Sequence, residues 1–224
     1  MAGEQPYNAA VDFLDRNVEE GRGGKPAVHE PDRSLTYGEL LDAAARVGPM
    51  LAAFGVEMES RVALAVFDSL EFPILFWGAM RAGVVPVLLN TRLTADQYRF
   101  HLADSRAKAV FVSAPLLPLI EEAARGLITL KAIIVVGACT TALPTFDDLL
   151  AAASPAPATH TSADDVAYCS NRRAPPAIPR ASFTPMRRRG SFPAMSAAAA
   201  STSGRKMSAS RRQKCSSRTD SATR

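Results

Sequence analysis

Three histidines, His29, His101 and His160, are the side chains best suited to proton transfer near neutral pH. They lie far apart in sequence, and none stands beside a nucleophile motif. His101 falls in TADQYRFHLADS with Tyr98 and Leu102, so it is expected to pack or to stand half exposed on a helix. His160 falls in an Ala/Pro-rich linker. Asp164-Asp165 could share a divalent cation, but an isolated acidic pair reads as a solvated cap. Cys139, Cys169 and Cys215 are unevenly spaced with no CxxC pair; they are expected to be free thiols in a reducing compartment. Phe76 and Trp77, in EFPILFWGAM, are expected in a core rather than stacked on a cofactor. Gly78 to Gly83, GAMRAG, reads as a helix with a C-terminal glycine and not as a phosphate-binding loop. Residues 1–168 therefore present no complete constellation: the expected catalytic, cofactor-binding and metal-binding residues are none.

The elements around these residues alternate. Asn8 is a good N-cap for a helix over AAVDFLDRNVEE, closed by Gly21. PAVHE offers a short strand. Thr36 and Glu39 have capping-box spacing, and the helix they open should run to Gly55, bent or interrupted at Gly48-Pro49. RVALAVF (61–67), VVPVLL (84–89), KAVFVS (108–113) and KAIIVVG (131–137) are apolar runs of strand length. Helices are expected between them at 70–81, from Thr94, and around 115–125, with a short last helix at 146–153. Strand and helix in alternation define an α/β fold with a mostly parallel sheet. Such sheets bind ligands at the carboxyl ends of their strands.

Composition changes near residue 168. Residues 1–168 carry a net charge of −8 and residues 169–224 a net of +12, together the chain's +4. The last 56 residues hold no Leu, no Val and a single Ile, against 11 Arg and 11 Ser. So few branched apolar residues cannot offset the entropy of ordering the backbone, and a disordered tail is expected. The opening MAGEQPYNAAVDF has no basic and apolar signal pattern, and no apolar run reaches the ~18 residues of a membrane helix. A cytoplasmic protein is expected.

YNAAVDFLDRNVEEGRG, SLTYGELLDAA and FWGAMRAGVVPVLLNTRLTADQYRFHLADSRAKAVFVS resemble benzoate-CoA ligase and its 4-hydroxybenzoate relatives. These are adenylate-forming acyl-CoA synthetases. The resemblance covers residues 1–168 and implies the opening part of the family's large N-terminal domain. In the family, a phrase like ADDVAY (163–168) precedes a loop of the form SGSTG-PKG, whose backbone amides and lysine hold the ATP phosphates. This chain has CSNRRAPPAIPRASFTP there.

The genetic code accounts for the substitution. Joining the third base of each codon to the first two of the next, Arg173 to Arg187 permits GSTGNPKGFVHTHA, with Arg180 on an AGR codon. At the same offset, Lys206 to Arg224 permits DVCFSAAKMFFAYGLGNA, which resembles a later segment of the family. The expectation is a single net frameshift near Tyr168–Arg173 and a premature end at Arg224.

By this resemblance the intact enzyme would use ATP, Mg²⁺ and coenzyme A to convert an aryl carboxylate to its CoA thioester through an acyl-adenylate. The 224-residue chain, without the phosphate loop, acid pocket and C-terminal domain, is expected to be inactive. Its sheet, lacking later covering elements, is expected to expose apolar faces and edges. A reading from another class makes residues 1–168 a non-enzymatic binding domain. The clusters Arg187-Arg188-Arg189 and Arg211-Arg212 with Lys214 then form a nucleic-acid-binding arm. Nonspecific polyanion binding by the tail is expected on either reading.

Overall fold

The structure is a computed structural model that describes residues 6–171 and 181–185. The described residues open with a helical stretch that includes a π-helical turn, Val11–Asp15, and breaks at Glu20-Gly21, where Gly21 takes φ +77°. The Asn8 Oδ1 accepts the Ala10 N–H at 3.0 Å, the cap expected from sequence. A small antiparallel pair, β1 (Pro26–His29) and β2 (Ser34–Thr36), follows; β2 lies in a stretch whose three-residue length gives little periodic signal.

Helix α1 (Tyr37–Ala52) begins at Thr36, whose hydroxyl accepts the Glu39 N–H while the Glu39 carboxylate accepts the Thr36 N–H. The expected interruption at Gly48-Pro49 does not occur, and the helix continues to Ala52. Pro49 has no N–H to give the carbonyl four residues back, that of Ala45. The Ala156 N–H, from the segment after the last helix, donates to that carbonyl at 3.0 Å instead. A tertiary hydrogen bond fills the position the proline leaves empty.

The main sheet has six strands in the order β6-β5-β3-β4-β7-β8. They are β3 (Arg61–Ala65), β4 (Val85–Leu88), β5 (Ala109–Ser113), β6 (Ala132–Val136), β7 (Val166–Asn171) and β8 (Ala181–Pro185). All pairings are parallel except β7 with β8. The helices between are α2 (Glu71–Arg81), α3 (Ala95–Ser105), α4 (Leu117–Ala124) and α5 (Phe146–Ala152). From β3 the chain moves one way to β4, then back past β3 to β5. Right-handed crossovers therefore set α2 and α3 on opposite faces.

Side chains follow that division. Ala63, Ala65, Val85, Val87, Val110, Val112 and Val135 pack with Tyr98, Leu102, Leu117 and Ile120 of α3 and α4. On the other face Phe76 of α2 meets Tyr168 edge-on, and Phe146 of α5 meets Phe111. Both faces are thus covered, which corrects the expectation of bare apolar surfaces. Helices α2, α3, α4 and α5 each follow a strand of the sheet and pack against it. Among the described residues Met58, Phe67, Phe100 and Ile128 are the exposed large hydrophobic side chains. The outer edge of β6 is partly closed, with the Val135 N–H donating to the Pro144 carbonyl at 3.0 Å.

The divide at residue 168 falls inside β7. Cys169 is buried in the same core as α3 and α4, and Ala181–Pro185 pairs with β7. Residues 186–224, including the arginine clusters of the tail, lie outside the described residues.

The segment between α5 and β7 is not a loose linker. Arg46 donates to the Ala153 carbonyl and Arg81 to that of Ala156, while the Thr159 N–H donates to the Arg81 carbonyl. The Asn8 amide donates to the carbonyls of Met80, Arg81 and Thr159 at 3.1 to 3.3 Å. Two of these, Met80 and Arg81, lie at the C-terminus of α2, where carbonyls run short of partners within the helix. Arg81 also holds Asp15 through Nε at 3.1 Å, both side chains nearly buried.

Candidate functional site

The parallel strands end together along one edge, the carboxyl edge, where such sheets take ligands. β3 runs out through Val66-Phe67-Asp68, β4 through Leu89-Asn90, β5 at Ser113 and β6 at Gly137. β7 leads from Asn171 into residue 172. The edge is drawn tight by its own polar groups. The Phe67 N–H donates to the buried Ser113 hydroxyl at 2.9 Å, and the Leu89 N–H to the Leu64 carbonyl at 3.0 Å. The Asn90 Oδ1 accepts the Arg92 N–H at 2.8 Å, and the Asn90 carbonyl accepts the Tyr98 hydroxyl at 2.9 Å. Tyr98 is fully buried, and burial raises its pKa. The capping box of Thr94 and Gln97 holds the start of α3 beside this turn. Phe67 and Asp68 remain exposed.

Phosphate capture needs convergent free N–H donors or cations, and the amides of Phe67, Leu89 and Arg92 are already engaged. Among the described residues no group of three His, Cys, Asp or Glu side chains could hold a metal ion. At Phe67, Leu89 and Arg92 the edge offers a phosphate no free amide.

The structure does not bring the singled-out residues together. His29 lies exposed on β1 and His160 exposed between α5 and β7. His101 is buried on α3 against Phe100. Burial lowers the His101 pKa, with the nearby Asp104 charge opposing. Asp164 and Asp165 shape the turn into β7: the Ser162 N–H donates to the Asp165 carboxylate at 2.8 Å, and the Asp164 N–H to the Ser162 hydroxyl at 3.2 Å. Trp77 stacks on Phe13 with ring centres 5.7 Å apart, as expected of a packing role. Cys139 is exposed and Cys169 buried, both free. Burial pushes the Cys169 thiol up to about 11. Gly83 ends α2 at φ +70°, a left-handed position that suits glycine.

Two cavities among the described residues lie elsewhere. One of about 230 Å³ is lined by Glu59, Arg61, Val85, Thr161, Asp165 and Val166, at the amino ends of β3, β4 and β7. Another, of about 370 Å³, lies between α1, α2 and the segment Ala156–Thr159. Sequence reasoning missed the Arg81 and Ser113 contacts and the long-range donations of the Asn8 amide. Their partners are backbone groups or distant carboxylates, which leave no local pattern.

Comparison with known proteins supplies what this edge belongs to. The model of the AMP-binding enzyme family matches residues 14–170, up to the last residues of β7. The chain belongs to that family. Over 164 residues it is 62% identical to a 4-hydroxybenzoate-CoA/benzoate-CoA ligase of Rhodopseudomonas palustris, covering 72% of this chain and 30% of that enzyme. A benzoate-CoA ligase of Thauera aromatica is 40% identical over 132 residues, 58% of this chain and 25% of the enzyme. In structure, a benzoate CoA ligase from Burkholderia xenovorans superposes with a TM-score of 0.71 at 34% identity, over 80% of this chain and 35% of that one. An anthranilate CoA ligase in complex with anthranoyl-AMP gives 0.77 at 30% identity, over 81% and 35%. The chain spans about a third of the length of these relatives.

Proposed function

We propose that this chain carries the opening third of an aryl-acid–CoA ligase. The observation that carries the reading is the 62% identity to the 4-hydroxybenzoate and benzoate enzyme across the α/β unit. In the complete enzyme, ATP with Mg²⁺ would activate the aryl carboxylate as an acyl-adenylate, with pyrophosphate leaving. The thiol of coenzyme A would then take the acyl group and AMP would leave. Positioning and charge neutralisation supply much of such catalysis. The described residues would contribute the platform, the row of strand ends on which a phosphate loop is set.

We further propose that the 224-residue chain does not perform the reaction. After β7 the sequence reads RRAPPAIPR over residues 172–180. Three of those nine residues are proline and have no N–H to donate, where the family's Ser, Thr and Gly loop supplies amides and hydroxyls. The family's lysine is absent from the stretch as well. The frameshift reading explains both facts with one event.

The test has two parts. Purified 224-residue chain, given benzoate or 4-hydroxybenzoate with ATP, Mg²⁺ and coenzyme A, is expected to form no aryl-CoA. It is also expected to show no carboxylate-dependent exchange between pyrophosphate and ATP. Product formation by this chain would overturn its assignment as inactive. Sequencing the gene across codons 160–230 is expected to show a frame, offset by one base, that spells GSTGNPKG after codon 172. A different reading there would remove the frameshift account and leave the family membership intact.

A further inference from the structure

We draw no further inference here: the strongest candidate, the cavity of about 230 Å³ at the amino ends of β3, β4 and β7 lined by Glu59, Arg61, Thr161 and Asp165, carries nothing, because the Thr161 hydroxyl already donates to the Tyr7 carbonyl and the Asp165 carboxylate already accepts the Ser162 N–H, and nothing in the structure shows what would fill the space.

Discussion

Residues 1–168 hold 21 acidic and 13 basic side chains, with apolar runs at strand and helix spacing; residues 169–224 hold 13 basic side chains, one acidic, and neither leucine nor valine. One region can turn every apolar run toward a common layer. The other has almost no branched apolar surface to bury. At about 25 cal/mol per Å² of apolar area removed from water, the buried apolar runs of the first region help offset the conformational entropy of folding. The contrast shows that length does not make a domain; periodic burial does. It also shows where the pattern stops. β7 continues to Asn171 because Tyr168 packs on Phe76 and Cys169 enters the core, and the family match stops at residue 170.

Substitutions in the two regions should therefore differ in size, and the ranking can fail at each step. The largest expected loss is in the aromatic cluster. Phe76→Ala removes a ring that touches Phe72, Trp77 and Tyr168, and should cost about 3–5 kcal/mol in urea unfolding. A loss below about 1 kcal/mol would mean that this face of the sheet is not closed as described.

Next comes Arg81→Ala, which strands the nearly buried Asp15 carboxylate without its cation and should cost about 3 kcal/mol. Pairing it with Asp15→Asn should recover part of that loss, because the uncompensated charge is then gone. Asn8→Ala leaves the Met80, Arg81 and Thr159 carbonyls without their side-chain donor. About 2 kcal/mol is expected, by the same measurement.

A smaller, pH-dependent effect falls on His101. Its folded pKa is depressed by burial, so the unfolded chain binds the proton more readily. The stability it contributes is fully present above the ordinary histidine value near 6.5 and is lost as pH falls through that value toward the folded one. Between pH 7.5 and 5.5 the thermal midpoint of the wild type should drop more than that of His101→Gln. Equal drops would show that the imidazole is solvated.

The smallest effect belongs to the other region. Replacing Arg187, Arg188 and Arg189 with serine should move stability by no more than about 0.5 kcal/mol, while weakening salt-sensitive binding to a nonspecific DNA duplex. A loss comparable to that of Asn8→Ala would overturn the expectation that these arginines add nothing to the folded unit.

Much of the architecture could be read along the chain. The capping box at Thr36-Glu39 uses residues three apart, and the cap at Thr94 stands at its helix start. Glycines end helices where a left-handed residue is needed, and four apolar runs match β3 to β6. These signals are local, with donor and acceptor within one turn or side chains alternating at a fixed period. The alternating order of strands and helices was legible for the same reason. The strand order, the division of helices between the two faces, and β7 as a neighbour of β4 were not, because they join residues tens of positions apart.

What the sequence determined by itself is the run of elements and the family likeness. Only the tertiary structure decided that α1 passes Pro49 unbroken. The carbonyl of Ala45 needed a donor, and it came from Ala156, 111 residues along the chain. The tertiary structure likewise decided that the segment after α5 is bound down and not free. Hydrogen bonds left open by proline and by helix ends can be counted in a sequence, but the partner that closes them is chosen by packing.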